Sequence, residues 1–116
     1  MRVVQITDLH LLPDNGSRLY GVDTMASLEL VLEKIMELPE PAEAIIATGD
    51  LAEDGSEETY ARLRQRLGRL GVPVYVLPGN HDDPAAMRAT LVSEGVYFQR
   101  AAQFGDWTIL FVNSKV

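Results

Sequence analysis

A chain of 116 residues with 17 acidic and 10 basic side chains, net charge -7, is short enough for at most one domain and carries the wrong sign for general attraction to a nucleic-acid polymer. Apolar residues make up 47% of it, enough for a core, and the absence of cysteine excludes disulfides, thiolate metal sites and cysteine nucleophiles. No segment approaches the roughly 18 uninterrupted apolar residues of a membrane span, and Met1-Arg2 runs into strand-like sequence without a signal-peptide pattern, so a cytoplasmic protein with no membrane partner is expected.

In chain order, the first predicted strand is Arg2 to Thr7, followed by a loop from Asp8 to Asp23 with turn residues Pro13, Asn15 and Gly16. Asp23 or Thr24 caps a helix to about Leu38, with Leu28, Val31, Leu32, Ile35 and Met36 as its apolar stripe and Pro39 and Pro41 beyond its end. Glu43 to Ala47 is apolar on both faces, as a buried parallel strand should be. Ser56, with Thr59 three residues on, opens a second helix to about Leu70, its core face formed by Tyr60, Leu63 and Leu67, and Gly71 stops it. Pro73 to Leu77 is the third strand, and a third helix is expected from Asp83-Pro84 to Gly95. Tyr97 to Arg100 and Trp107 to Asn113 read as two antiparallel strands joined through Gly105-Asp106. This alternation predicts an α/β domain with a mainly parallel sheet, flanking helices and right-handed crossovers.

Three short polar clusters each close an apolar strand: Asp8-Leu9-His10, Gly49-Asp50 and Gly79-Asn80-His81-Asp82. The chain has two histidines, and both lie in these clusters. A parallel sheet brings the carboxyl ends of its strands to one edge, where ligands bind. Asp8 and His10 are two residues apart, so an extended backbone aims both side chains the same way. One carboxylate oxygen and one imidazole nitrogen suit Mn, Fe or Zn better than Ca. Asp50 has two oxygens with which to bridge two cations, and Gly49 allows close approach. Asn80 offers an amide oxygen. His81 can donate a proton or bind a phosphate oxygen, with an acidic neighbour to orient its ring. Singly, each cluster is equally an ordinary turn; together, in this order, they point to a two-metal phosphoesterase site.

The remaining polar residues read as structural. Arg62, Arg64, Arg66 and Arg69 form a solvated helix face. Glu53, Asp54, Glu57 and Glu58 provide solvated charge and carboxylates at a helix N-terminus. Trp107 reads as a packing residue.

The clusters resemble the calcineurin-like metallophosphoesterase superfamily, whose pattern is D-x-H, then G-D, then G-N-H-D/E. The stretches Gln5 to Leu11, Tyr20 to Thr24, Ala47 to Ala52 and Leu77 to Asp82 are similar to bacterial class III cyclic-nucleotide phosphodiesterases. Glu53-Asp54-Gly55 stands where protein phosphatases of the superfamily have Asp-Arg-Gly, which favours the small-molecule branch. The resemblance implies that Asp8 and His10 bind a first metal, Asp50 bridges, Asn80 binds a second, and His81 contacts the scissile phosphate and assists the leaving oxygen. It implies two divalent ions (Fe, Mn or Zn) and a substrate such as cyclic AMP.

The family fold is a four-layer α-β-β-α sandwich whose second half supplies further metal-binding histidines, including a G-H-x-H motif. Since no histidine follows His81, residues 1–116 are expected to be the N-terminal half of such a domain, holding one metal or none and self-associating through the face that the second half would cover. The competing expectation is a non-catalytic binding or assembly module built on a partial metal site. A Rossmann-like binder is poorly supported, because no G-x-G-x-x-G follows the first strand.

Overall fold

The computed structural model describes residues 2–14 and 17–112. Its elements are β1 (Val3–Thr7), α1 (Thr24–Met36), β2 (Ala44–Thr48), α2 (Glu57–Gly68), β3 (Val74–Leu77), α3 (Pro84–Ala86) running into a π-helical turn (Met87–Leu91), β4 (Val96–Tyr97), β5 (Ala101–Phe104) and β6 (Trp107–Leu110). β1 to β4 pair in sequence order as one parallel sheet, and β5 and β6 form an antiparallel hairpin. The expected α/β architecture with a mainly parallel sheet is therefore observed.

Period-two alternation assigns the two faces of the sheet. Val4, Ile6, Ile45, Ala47, Val74 and Val76 join the cluster built with Met25, Leu28, Leu32 and Ile35 of α1 and Tyr60, Leu63 and Leu67 of α2. Val3, Ala44, Ile46, Tyr75 and Leu77 meet the hairpin through Ala102, Phe104, Ile109 and Phe111. The Tyr75 ring stacks on Phe111 at 5.5 Å and meets Phe104 edge-on at 5.6 Å. The layers are thus helices, parallel sheet and hairpin, which is why β2 is apolar on both sides.

Both long helices begin at the expected caps. The Asp23 carboxylate accepts from the Ala26 amide at 3.0 Å, and the Ser56 hydroxyl from the Thr59 amide at 3.3 Å. Their ends, and those of β1 to β3, lie within one or two residues of expectation, the usual spread at element termini.

The C-terminal part departs further. The third helix keeps one α-turn and then widens, the Val92 amide bonding five residues back to the Met87 carbonyl at 3.1 Å; this buries Met87 and Leu91 completely. The expected strand Tyr97 to Arg100 is not the hairpin partner. Val96–Tyr97 instead adds a fourth parallel strand beside β3, and the hairpin is Ala101–Phe104 with Trp107–Leu110. The two-residue turn Gly105-Asp106 sets this register by pairing Phe104 with Trp107, which puts Ala102 and Phe104 inward. Asn113 lies outside the described residues.

Trp107 is not a packing residue here: opposite Phe104 at the turn end of the hairpin, it is 67% exposed. The arginines of α2 are not merely solvated, since Arg66 pairs with Glu29 at 2.8 Å, Arg64 donates to the Thr90 carbonyl at 3.2 Å and Arg62 donates to the Leu12 carbonyl. No helix among the described residues is long and apolar enough to cross a membrane.

Leu63 is fully buried between α2 and the sheet. Leu63→Ala should therefore lower unfolding free energy by about 2–5 kcal/mol through lost transfer energy and a residual cavity, read from the urea midpoint.

Candidate metal centre

Beyond the carboxyl ends of β1 and β2 the two chains stay paired as they leave the sheet. The Asp8 amide donates to the Gly49 carbonyl at 3.1 Å, His10 to Asp50 at 2.9 Å and Leu11 to Leu51 at 3.0 Å. This pairing is not extended. Asp8, His10 and Asp50 have φ of 56°, 47° and 50°, in the left-handed region. Asp and His are among the side chains that tolerate it best, at a cost of order 1–3 kcal/mol each. The expectation that an extended Asp8-Leu9-His10 aims both side chains alike is thus corrected: left-handed turns, not strand alternation, bring them together.

The result is a convergence of donors. One side-chain atom each from Asp8, His10 and Asp50 lies within 4.8 Å of the others. Asp8 Oδ1 is 3.6 Å from His10 Nε2, and the Thr7 hydroxyl reaches Asp8 Oδ2 at 2.7 Å. Two carboxylates and an imidazole are a donor set that fits a borderline divalent ion. Asn80, at the end of β3, lines the same open cleft as Asp8 and Asp50, with Val112 at its rim. His81 is half exposed beside it, its backbone amide donating to Asp50 Oδ1 at 2.9 Å and its ring lying edge-on to the His10 ring at 5.5 Å.

Two glycines divide the roles expected of one. A Cβ on Gly49 would make ordinary contact, so it is the φ of 75° that calls for glycine there. A Cβ on Gly79 would fall 2.2 Å from the Asp50 amide nitrogen, so close approach is needed at Gly79 instead.

Asp82 of the third cluster and two residues that sequence reasoning set aside, Tyr60 and Glu53, hold this geometry. Asp82 is 4% exposed. Its Oδ2 accepts from the amides of Leu51 at 3.0 Å and Gly79 at 2.8 Å, and its Oδ1 from the Ala52 amide at 3.0 Å and the Tyr60 hydroxyl at 2.7 Å. It ties the loop after β2 to the loop after β3. Tyr60, read as core, is fully buried, yet its hydroxyl also accepts from the Asp83 amide at 3.1 Å. Glu53, read as solvated charge, is only 25% exposed at its side chain and lies 2.7 Å from His10 Nδ1. The acidic group beside the His81 ring is this same Glu53, at 3.7 Å, together with its backbone carbonyl at 3.1 Å. Asp54, Glu57 and Glu58 do serve the helix start: Asp54 accepts from the Ser56 amide and the Thr59 hydroxyl, bonds that outweigh partial burial and hold its carboxyl below the usual range. The signal available in sequence was spacing, since Glu53 follows Asp50 by three positions, whereas Asp82 already belongs to the third cluster.

Burial, then the hydrogen bond to Asp82, pushes the Tyr60 phenol well above its ordinary value. A group whose folded pKa is raised contributes stability that is present below its unfolded pKa, about 10 for tyrosine, and lost as pH rises through the folded value. Unfolding free energy should therefore fall above about pH 10, and Tyr60→Phe should flatten that alkaline slope while costing about 1–3 kcal/mol at neutral pH through the unpaired Asp83 amide. Chemical denaturation across pH checks both.

Known proteins are similar to this chain over nearly all of its length. The family model described as calcineurin-like phosphoesterase matches residues 1–115. A 3',5'-cyclic-nucleotide phosphodiesterase of Nostoc is 38% identical over 98% of this chain. The 3',5'-cyclic adenosine monophosphate phosphodiesterases of Pseudomonas aeruginosa and Escherichia coli are 36% and 37% identical over 98% and 100% of it. The chain spans 42–43% of the length of these relatives. Its helix-flanked parallel sheet agrees with the N-terminal part of the metallophosphoesterase fold, and the chain belongs to the calcineurin-like phosphoesterase family, whose members are metal-dependent hydrolases.

Proposed function

We propose that the protein is a metal-dependent phosphodiester hydrolase acting on 3',5'-cyclic AMP or a related small phosphodiester, and that residues 1–116 form the first half of its catalytic domain. The observation that carries this reading is the convergence of Asp8, His10 and Asp50 within 4.8 Å at the carboxyl edge of the sheet, with Asn80 on the same cleft. Relatives named for cyclic-nucleotide hydrolysis support the substrate class. That this chain spans less than half their length supports a second half that contributes further ligands. A cytoplasmic location belongs to the same reading.

In this proposal Asp8, His10 and Asp50 would hold one ion, and Asp50 with the amide oxygen of Asn80 would help to hold a second. Nitrogen and oxygen donors without sulfur favour Mn, Fe or Zn. Bound divalent ions supply Lewis-acid stabilisation of the phosphoryl charge and activation of water. The residues of the chain do the rest. The His81 amide on Asp50 Oδ1 holds the two loops at a constant separation. The half-exposed His81 ring, with a proton on both nitrogens, would meet a phosphate oxygen or the departing alkoxide.

With added Mn, the 116-residue chain should hydrolyse cyclic AMP or bis(p-nitrophenyl) phosphate feebly or not at all, because Asp50 and Asn80 alone are too few ligands for a second ion. A chain continued to the length of the relatives should hydrolyse at least one of them. Asp50→Asn in that longer chain should remove nearly all turnover, since a neutral amide is a poor bridge between cations. Rapid hydrolysis by the 116-residue chain would contradict the ligand assignment.

The alternative of a non-catalytic binding or assembly module is favoured by one observation: Trp107 and Leu110 of the hairpin are 67% and 70% exposed. On either reading, these exposed apolar side chains of the hairpin are proposed to make the 116-residue chain self-associate. Light scattering should report a species larger than a monomer, and Trp107→Ser with Leu110→Ser should return it to monomer.

A further inference from the structure

The hydrogen-bond partners of the two histidine rings converge on one residue. His10 Nδ1 is 2.7 Å from Glu53 Oε2, and His81 Nδ1 is 3.1 Å from the Glu53 backbone carbonyl. A carboxylate and a carbonyl can only accept, so in each neutral ring Nδ1 carries the proton. Nε2 is then the nitrogen with the free lone pair. For His10, Nε2 is the atom that faces Asp8 Oδ1 at 3.6 Å.

We propose that Glu53 is the positioning residue for both histidines, using two different oxygens to set which ring nitrogen each presents to the cleft. Glu53 is well suited to this. Its own amide donates to the Leu11 carbonyl at 2.9 Å, and the two preceding amides, Leu51 and Ala52, are held by Asp82 at 3.0 Å each. The carboxylate therefore projects from anchored backbone. Side-chain length also matters: an aspartate would fall short by one carbon–carbon bond, about 1.5 Å. The role of Glu53 toward the metal rests on the reading of His10 as a ligand, but the tautomers do not.

The test uses the 116-residue chain with 15N-labelled histidine. Because there are two histidines, a His10→Gln sample assigns both rings. Long-range 1H–15N correlation at mildly alkaline pH, where a free imidazole is neutral, should show both rings protonated at Nδ1. In Glu53→Leu, His10 should revert to the mixture of tautomers of a free ring. His81 should keep its Nδ1 proton, because the backbone carbonyl is still present. A variant that had merely misfolded would shift both. Zinc affinity, by calorimetry, should fall about 10–100-fold in Glu53→Leu, and Glu53→Gln, which keeps an acceptor oxygen, should stay within a few-fold of wild type.

A wild-type His10 protonated at Nε2, or a Glu53→Leu chain with unchanged His10 tautomer and unchanged zinc affinity, would overturn the proposal. Tautomers that respond as described in a chain that binds no zinc would uphold the positioning role and count instead against His10 as a metal ligand.

Discussion

The site depends on one buried carboxylate. Asp82 accepts hydrogen bonds from three backbone amides and a buried hydroxyl, drawn from the loop after β2, the loop after β3 and α2. An ionised carboxylate withdrawn from water is costly unless its lone pairs are filled, and here four donors fill them. The same bonds hold the loop of Asp50 and Glu53 against the loop of Asn80 and His81. Because amide-to-carboxylate hydrogen bonds are short and directional, the separation of those loops is set by hydrogen-bond geometry and not by side-chain packing alone.

The remainder of the site is assembled at a cost in backbone strain. Asp8, His10 and Asp50 all occupy left-handed conformations, as does Gly49. Such residues persist only where surrounding structure over-determines them. The ladder that continues past the strand ends from Asp8 to Leu11, the Asp82 clasp and the approach of Gly79 to Asp50 together do this. Three of the four non-glycine residues with positive φ are the ones whose side chains converge, Tyr20 being the fourth, so at the site strain and donor cluster go together. Turning the chain left-handed is how two adjacent parallel strands direct carboxylates and an imidazole to one point.

The layers explain why this edge is firm and the opposite side of the molecule less complete. All the helices pack on one face of the sheet, burying an unbroken apolar cluster, and their N-termini lie toward the edge that carries the site. The other face is covered by a single hairpin held by Tyr75, Phe104 and Phe111. Leu110 stays exposed on its outer side, and Trp107, opposite Phe104 at the turn, is exposed as well. The first three strands and the helices between them are thus enough to position the donors, and the hairpin contributes Val112 at the rim of the cleft.

Local signals carried much of this in the sequence. Period-two runs at Val3–Thr7, Ala44–Thr48 and Val74–Leu77, caps at Asp23 and Ser56, and polar clusters after each strand are short-range patterns, and they specified the parallel sheet and the edge on which Asp8, His10, Asp50 and Asn80 lie. What tertiary structure alone decided was long-range. Glu53 reads as solvated charge, and Asp82 as one more member of a polar cluster, because their partners lie 43 residues away at His10 and 22–31 away at Tyr60, Ala52 and Leu51. The pairing of Val96–Tyr97 with β3 was likewise invisible, since two residues carry no periodicity. A carboxylate in a loop has the same sequence signature whether it meets water or four donors; only the folded chain determines which.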